Sequence, residues 1–324
     1  MKILVIGGSG FIGSRLVGEL LEEGLNVQIF DKNPSLFYNN LVTLADVRDR
    51  EALNSALKGK DIVFNLAAEH RDDVTPRSLY YEVNVRGAEN IVNAALLNDV
   101  KRIIFTSTVA VYGLNKPNPD ENSLTEPFND YGKSKLEAEH VFNVWRQRSD
   151  ENSLTVIRPV VVFGEGNRGN VYNLIKQIAS EKFMMVGQGN NRKSMAYVGN
   201  IAKFLSYCTK NGPGNHLFNF ATKPDMTVRQ LVSFVRTELG MTKRLPHLPY
   251  AVGLGGGFAF DIISRLSGKN FPISSVRIRK FCANTTISTK ALDELGFQSP
   301  YSLHDGLKRM IENLDQNIYF EGGG

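Results

Sequence analysis

The sequence contains little cysteine: only Cys208 and Cys282 occur in 324 residues, far apart and without a CxxC motif. Such a chain cannot build a disulfide framework, so we expect a reducing compartment, the cytoplasm. It also lacks any apolar run of about 18 residues, which excludes a segment that spans a membrane by itself. The N-terminal stretch "MKILVIGGSGF" is broken by glycine and too short for a signal peptide, and it predicts a strand instead.

Patterns typical of metal and nucleic-acid binding are also missing. The five histidines show no spacing typical of metal ligands, and we expect no metal. The formal net charge of +5 favours an anionic partner such as a phosphate or an anionic lipid. Nucleic acid is not expected as a partner, because the chain has no zinc-finger spacing, no RNP-like segment and no ladder of basic and aromatic residues.

The first half of the chain alternates regularly between apolar strand-like runs and runs with helical periodicity. The strand-like runs are "KILVI", "NVQIF", "LVTLAD", "DIVFNLAA", "RIIFTST" and "LTVIRP". Runs this apolar, separated by helices, predict a parallel sheet that is covered on both faces. The expected fold class is therefore α/β, with a Rossmann-type doubly wound parallel sheet.

The alternation becomes irregular after Pro159, where glycine and asparagine gather in "FGEGNRGN" and "GQGNN". We predict a first domain over residues 1–165, to which a later segment near 190–222 returns. A smaller, partly interleaved α/β substrate domain is predicted over residues 166–315. Residues 316–324, "QNIYFEGGG", are similar to the remnant of a protease-site tag and are left out of the fold prediction.

The motif "GGSGFIG" follows the first predicted strand and precedes a helix. Its glycines, Gly7, Gly10 and Gly13, permit a tight turn, close approach of a pyrophosphate, and tight packing of the helix on the strand. The N-terminus of the helix supplies amide donors to the same anion. We predict that this segment, including Phe11 and Ile12, binds a dinucleotide in the first domain.

The end of the second predicted strand indicates which dinucleotide. Asp31 stands where a carboxylate binds both ribose hydroxyls and repels a 2′-phosphate, so NAD is favoured over NADP. Lys32 weakens this preference, because a lysine can pair with a 2′-phosphate. We expect further cofactor contacts at the ends of the third and fourth strands, from Asp46, Val47, Leu66, Ala67 and Ala68.

The run "RIIFTST" brings Ser107 and Thr108 to the same edge of the sheet, and "NDYGKSK" opens the next helix. Tyr131 and Lys135 are four residues apart and therefore lie on one face of that helix. Thr108 is expected to hold a substrate oxygen while Tyr131 takes or gives its proton. A free tyrosine has a pKa near 10. The neighbouring ammonium and a positive nicotinamide are expected to bring the pKa of Tyr131 towards neutrality.

Together with "NLAAEHR" and "TSTVAVYG", these motifs resemble the extended short-chain dehydrogenase/reductase family, the NAD-dependent epimerases and dehydratases that act on nucleotide sugars. The resemblance covers residues 1 to about 310. It implies Thr108, Tyr131 and Lys135 as the catalytic residues, the last two also touching NAD. It further implies that the cofactor is contacted by Asp46, Val47, Asn84 and Pro159.

The two residues after the predicted catalytic threonine distinguish branches of this family. Sugar 4,6-dehydratases carry an Asp–Glu pair there, whereas this chain has Val109 and Ala110, so dehydration is not expected. An epimerase, which returns the hydride to the sugar, remains open. A dehydrogenase or reductase of a nucleotide sugar or a steroid-like substrate remains open as well. A non-catalytic NAD-binding protein would be expected to lack Tyr131 or Lys135.

The part of the pocket that binds the nucleotide in UDP-sugar 4-epimerases differs in this chain, which has Arg192, Lys193 and Val161 there. Segments such as "AAEHRDDVTPRSLYYEVNV" and "KSMAYVGNI" are similar to a narrower group of the family. That group epimerises N-acetylglucosaminyl-diphospho-undecaprenol to its N-acetylgalactosaminyl counterpart for O-antigen and lipopolysaccharide synthesis. UDP-N-acetylglucosamine stays open as the alternative substrate. The substrate contacts that we expect are Ser107, Thr108, His70, Arg71, Asn170, Arg192, Lys193 and Arg277.

The stretch from Leu248 to Ile263, "LPYAVGLGGGFAFDII", is apolar apart from Asp261 and too short to span a bilayer. The basic residues that follow it are Arg265, Lys269, Arg277, Arg279 and Lys280. This pattern suits a peripheral segment at the inner face of the bacterial membrane. A buried helix pair and a dimer surface remain alternatives, and we also expect a homodimer.

Overall fold

The computed structural model describes residues 1–71, 74–114, 116–267 and 274–314. The predicted tag remnant, residues 316–324, and Lys269 lie outside the described residues. The strands are β1 (Lys2–Ile6), β2 (Asn26–Asp31), β3 (Val42–Leu44), β4 (Ile62–Asn65), β5 (Arg102–Thr106), β6 (Ser153–Pro159), β7 (Val161–Phe163), β8 (Met185–Val186), β9 (Arg192–Tyr197), β10 (Gly214–Phe220), β11 (Thr222–Thr227) and β12 (His247–Leu248). The helices are α1 (Phe11–Glu22), α2 (Arg50–Leu57), α3 (Ser78–Tyr81), α4 (Gly87–Leu97), α5 (Asp130–Arg146), α6 (Asn170–Ala179), α7 (Val198–Tyr207), α8 (Val228–Glu238), α9 (Tyr250–Ser267), α10 (Ser275–Cys282), α11 (Lys290–Glu294) and α12 (Leu303–Glu312).

Seven parallel strands form the central sheet in the order β10-β6-β5-β4-β1-β2-β3. Helices cover both faces, and every residue of β4 and β6 is buried. One core cluster contains Leu16 of α1 and Phe204 of α7, and a second contains Ile91 of α4 and Trp145 of α5. The predicted α/β fold with a Rossmann-type parallel sheet is confirmed.

The later part of the chain leaves this sheet and returns to it. Because β7 follows β6 almost directly, the three-stranded sheet β11-β9-β7 starts at the carboxyl end of β6. β10 then comes back to the central sheet and pairs with β6. A third core cluster, which includes Phe163, Ile175, Val232 and Leu307, lies beside the smaller sheet. The division into two interleaved domains stays a prediction, and this path of the chain is consistent with it.

The helical segment between β4 and β5 is divided in the structure. Between α3 and α4 the chain makes one wider π-helical turn, Glu82–Arg86. Such turns are often found at functional sites. Asn84 lies inside this turn and is buried, which places its side chain against the segment that follows β4.

The apolar stretch singled out in the sequence lies mostly in α9, which packs against α10. We call these two helices the helical hairpin. Two glycines of α9 allow close packing. A Cβ on Gly253 would lie 2.7 Å from Val186 of β8, and one on Gly257 would lie 2.8 Å from the backbone of Ser275 in α10. The outer side of α9 exposes the large apolar residues Tyr250, Val252, Phe258, Ile262, Ile263 and Leu266. Across the described ranges, no helix is long and apolar enough to cross a membrane.

Candidate active site

The turn between β1 and α1 is packed so closely that it leaves no room for a side chain at Gly7 or Gly13. Gly7 has a φ of +79°, and a Cβ there would lie 2.6 Å from the backbone nitrogen of Ala67. A Cβ on Gly13 would lie 2.2 Å from the carbonyl oxygen of Gly7. Gly10 caps α1 without a side-chain hydrogen bond, and Phe11 begins the helix. We call Gly7, Gly10 and Gly13 the glycine cradle. Together with the N–H groups at the start of α1, which no side chain caps, it fits a dinucleotide pyrophosphate.

Asp31 ends β2 beside this turn, as the sequence predicts. Its carboxylate accepts hydrogen bonds from the backbone N–H groups of Ser9 at 3.0 Å and Asn33 at 2.9 Å. Burial raises the pKa of Asp31, and the two amides oppose that rise. The contact with Ser9 holds the carboxylate at the edge of the glycine turn, within reach of a ribose bound there. Lys32 is exposed.

The segment after β3 continues this edge of the sheet. Arg48 donates to both carboxylate oxygens of Asp46 at 2.9 Å and lowers the pKa of that carboxyl. Val47 is buried, and its side chain lies 3.0 Å from where a Cβ on Gly87 would stand. Ile12, in the first turn of α1, is partly buried beside the core.

The segment after β4, Leu66 to Ala68, leads to Glu69, whose backbone is bonded to Asn84. The amide of Asn84 accepts from the N–H of Glu69 at 2.8 Å and donates to its carbonyl oxygen at 3.0 Å. It also donates to Ser134 of α5 at 2.9 Å. Asn84 therefore connects the end of β4 to the helix that carries Tyr131. Its predicted contact with the cofactor, and that of the buried Pro159 at the end of β6, stay predictions.

The end of β5 and the first turn of α5 bring Thr108 and Tyr131 together. Thr108 Oγ1 accepts a hydrogen bond from the N–H of Ala110 at 3.1 Å, and it is also hydrogen-bonded to the Tyr131 phenol. Asn129 caps α5 by accepting a hydrogen bond from the N–H of Gly132 at 2.9 Å. This cap starts the helix at the place where the phenol reaches the end of β5.

Burial controls the charge of the tyrosine–lysine pair. Lys135 is 1% exposed, and its Nζ lies 4.2 Å from the ring centroid of Phe105. Burial lowers the pKa of Lys135 to about 7. Burial also raises the pKa of Tyr131 to about 12, although the hydrogen bond with Thr108 opposes the rise. In the chain alone, burial therefore keeps the pKa of Tyr131 above its ordinary value. The expected near-neutral tyrosine includes the charge of a bound nicotinamide, and it stays a prediction.

Two of the predicted substrate contacts follow β4 directly. Burial lowers the pKa of His70, and the charge of Lys135 acts on the imidazole in the same direction. His70 itself is partly buried. Arg71 donates to the buried carboxylate of Glu69 at 3.2 Å. Asn170 begins α6 and is exposed.

The other predicted substrate contacts lie near the helical hairpin. Lys193 Nζ donates to the carbonyl oxygens of Lys280 at 2.9 Å and Ala283 at 2.7 Å. Arg192 donates to the carbonyl oxygen of Asp225 at 3.0 Å. These two side chains connect β9 to the end of α10 and to β11. Arg277 is exposed on α10, and the roles of all three in substrate binding stay predictions.

The end of α10 lies close to the segment that leads into α5. Lys280 Nζ is 5.8 Å from the ring centroid of Phe128. Phe128 is exposed and comes three residues before Tyr131, and Leu124 of the same segment is exposed as well. The end of the hairpin therefore lies beside the segment that leads to Tyr131.

The structure adds a buried ion pair that sequence reasoning missed. Arg158 of β6 donates to both carboxylate oxygens of Glu139 at 3.0 Å and 2.6 Å. Ser107 also donates its hydroxyl proton to this carboxylate. The hydroxyl of Ser107, predicted to contact substrate, is therefore bonded inside the protein. The sequence signal was available, because Glu139 continues the helical spacing of Tyr131 and Lys135 by one more turn.

Comparisons with known proteins agree with this geometry. The family described as "Epimerase: NAD dependent epimerase/dehydratase family" matches residues 3–221. The N-acetyl-alpha-D-glucosaminyl-diphospho-ditrans,octacis-undecaprenol 4-epimerase of Escherichia coli O157:H7 is 52% identical over 315 residues, covering 96% of this chain and 94% of that protein. A putative UDP-glucose 4-epimerase of Methanocaldococcus jannaschii is 31% identical over 257 residues, covering 74% of this chain and 82% of that protein.

Among solved structures, the UDP-glucose 4-epimerase of Thermus thermophilus in complex with NAD has a similar fold. Its TM-score is 0.75 at 21% identity, over 98% of this chain and 100% of that one. The predicted cofactor, NAD, is confirmed by the family match, and the glycine cradle fits it. The chain belongs to the NAD-dependent epimerase/dehydratase family.

Proposed function

We propose that this protein is an isomerase, a 4-epimerase that interconverts N-acetylglucosaminyl- and N-acetylgalactosaminyl-diphospho-undecaprenol by transient oxidation at C4 of the sugar. The observation that carries the proposal is the 52% identity, over 96% of the chain, to the Escherichia coli epimerase named above. The site supports it, because Thr108, Tyr131 and Lys135 stand at the sheet edge that also carries the dinucleotide cradle.

The chemistry divides between the cofactor and three side chains. NAD, when bound, supplies an acceptor for the hydride of sugar C4 and the positive charge of its nicotinamide ring. Thr108 holds O4 of the sugar by a hydrogen bond, and Tyr131 takes the proton of that hydroxyl as the C4 ketone forms. Tyr131 returns the proton to O4 once hydrogen is restored to the opposite face of C4. The ammonium of Lys135, one helical turn away, favours the phenolate form of Tyr131.

The residues after Thr108 argue against dehydration. Val109 and Ala110 begin a short 3-10 turn that Thr108 caps. Their side chains have no group that transfers a proton, whereas the dehydratases that this chain resembles carry carboxyl groups there. An epimerisation needs no such group, because the hydroxyl and the hydrogen at C4 are both retained.

The comparison of two substrates tests the proposal. We expect galacto product from undecaprenyl-diphospho-N-acetylglucosamine and little from UDP-N-acetylglucosamine, because Lys193, near the predicted nucleotide end, is already bonded to backbone carbonyls. Free NADH should not accumulate, since the hydride returns to the sugar. Product is measured by chromatography of the released sugars, and NADH by its absorbance. Efficient epimerisation of the UDP-sugar alone would contradict the lipid-linked substrate, and NADH in stoichiometric amounts would indicate a dehydrogenase.

The position of the protein at the membrane is part of the same proposal. The hairpin exposes apolar side chains, with Leu266 85% and Ile262 59% exposed. Arg277, Arg279 and Lys280 stand exposed on α10 beside them. An apolar helix face flanked by cations suits the anionic inner leaflet. It would bring the segment that leads to Tyr131 near the surface where a polyprenyl diphosphate is anchored. The homodimer expected from the sequence stays a prediction.

Charge reversal on α10 tests the membrane contact. Changing Arg277, Arg279 and Lys280 to Glu should weaken co-sedimentation with anionic vesicles, because each cation near such a surface contributes about 1 kcal/mol. High salt should release part of the wild-type protein, since the electrostatic part is screened. Lys58, Arg148 and Lys308 are exposed, and their reversal is the control of equal charge. If both triple variants bind vesicles like the wild type, the hairpin is not the membrane contact.

A further inference from the structure

The buried face of α5 carries three ionisable residues on successive turns. Tyr131, Lys135 and Glu139 are spaced four residues apart, so each stands about 6 Å along the helix from the next. Lys135 is 1% exposed and Glu139 is 3% exposed. The lysine therefore lies between the proton-transferring phenol and a buried carboxylate.

The carboxylate of Glu139 is fixed from several sides. Ser107 at the end of β5 and Arg158 of β6 both donate to it, and both are buried. Arg158 also donates to the hydroxyl of Tyr112 at 2.9 Å, and that hydroxyl donates to Asn219 of β10 at 2.7 Å. Because three strands and a 3-10 turn hold this chain of hydrogen bonds, the carboxylate is fixed between α5 and the ends of β5 and β6.

We propose that Glu139 is a positioning residue, which keeps the buried Lys135 in its charged ammonium form and, through Ser107, fixes the strand end that carries Thr108. This inference rests on the proposed function only for its catalytic consequence. A buried ion pair by itself is weak evidence for stability. Here, however, the pair stands one helical turn from a buried lysine at the proposed catalytic site. The carboxylate can therefore also stabilise the charge of that lysine.

The other groups around the lysine do not replace that carboxylate. Those that act on Lys135 or Tyr131, or that complete the hydrogen bonds of Glu139, are His70 after β4, Tyr80 of α3, Tyr112 of the 3-10 turn and Arg158 of β6. None of these four is a carboxylate. Burial lowers the pKa of Lys135 to about 7, and the negative charge of Glu139 opposes that effect. Removing the charge should lower the pKa of Lys135 further, so that the lysine is mostly neutral at pH 7.

The direct test is a titration of Lys135 by NMR in protein labelled with carbon-13 at lysine Cε. The resonance is assigned by its loss in Lys135→Met. In Glu139→Gln the titration of Lys135 should move down by about 1 pH unit, the lower end of the effect of a nearby opposite charge. The ammonium is then lost at lower pH. The alkaline limb of the pH profile of kcat for the lipid-linked sugar should therefore shift to lower pH by a similar amount.

Two further variants keep the test decisive. Glu139→Gln combined with Arg158→Gln leaves no buried guanidinium without its carboxylate, so it folds more readily than the single variant. Lys135 should again titrate at lower pH, but by less than in the single variant, because the positive charge of Arg158 is removed as well. Glu139→Asp retains the charge and should restore the lysine titration. Glu137, exposed on the same helix, supplies the control. Glu137→Gln should leave the titration of Lys135 unchanged.

The outcomes separate this inference from the proposed function. An unchanged titration of Lys135 in both glutamine variants overturns the inference and leaves the pair a structural contact. A shifted titration with an unmoved alkaline limb of kcat would overturn its catalytic consequence. If the wild-type protein does not turn over the lipid-linked sugar, the proposed function fails, and the NMR shift still decides what Glu139 does to Lys135.

Discussion

Replacing Tyr131 with phenylalanine should reduce turnover by a factor of about one hundred or more, the range for loss of general acid–base catalysis. Phenylalanine retains the ring but loses the hydroxyl that is bonded to Thr108 and that would exchange a proton with O4 of the sugar. NAD content and thermal stability should stay close to those of the wild type, because the glycine cradle lies on other elements. The measurement is kcat together with the amount of bound NAD.

A matched variant shows whether the effect belongs to this phenol. Tyr81 is hydrogen-bonded to Asp130 at 3.3 Å, at the start of the same helix. Tyr81→Phe likewise removes one phenolic hydroxyl next to α5, and turnover should change far less than in Tyr131→Phe. Turnover of Tyr131→Phe at the wild-type rate would show that the proton transfer belongs to another group.

Replacing Gly13 with alanine should abolish measurable NAD binding and lower the stability of the protein. The added Cβ would lie 2.2 Å from the carbonyl oxygen of Gly7 and 2.7 Å from Cα of Gly8. Both are backbone atoms, so the turn itself must open, and overpacking of this kind costs about 1–3 kcal/mol. The cofactor retained after purification and the midpoint of thermal unfolding measure the two effects.

Gly10 provides the comparison within the same motif. It has a φ of −73°, which any residue adopts, and a Cβ there would lie 3.3 Å from the carbonyl oxygen of Gly7. Gly10→Ala should therefore fold, and any loss of NAD would report how closely the pyrophosphate approaches that position. If Gly13→Ala retains NAD with wild-type affinity, the cradle is not the cofactor site.

Much of the fold was predictable because its causes are local. Apolar runs such as "DIVFNLAA" belong to strands that are buried on both faces, and they predicted the parallel sheet that the structure confirms. The glycine spacing requires a turn that side chains cannot fill, and Asp31 does end the strand where it was expected. The family and NAD followed from these short motifs, and the comparisons confirm both.

The spacing of Tyr131 and Lys135 was also local information, whereas their pKa values were not. The sequence shows an ammonium near a phenol, but only the packed structure shows that both groups are withdrawn from water, and that desolvation sets the charge of each. The partners of Lys193 were equally hidden, because they belong to the far end of α10. The roles of these residues in catalysis and substrate binding stay predictions.

The sequence by itself determined the parallel sheet, the dinucleotide turn and the helical face that carries the tyrosine and the lysine, since each depends on residues that are neighbours along the chain. Only the tertiary structure decided that Glu139 meets Arg158, because that contact requires α5 to pack on β6. It also decided that α9 packs on α10 through Gly257 and leaves the large apolar residues on its outer side exposed. Contacts between distant segments depend on how complete elements pack, and the order of residues along one element does not contain that information.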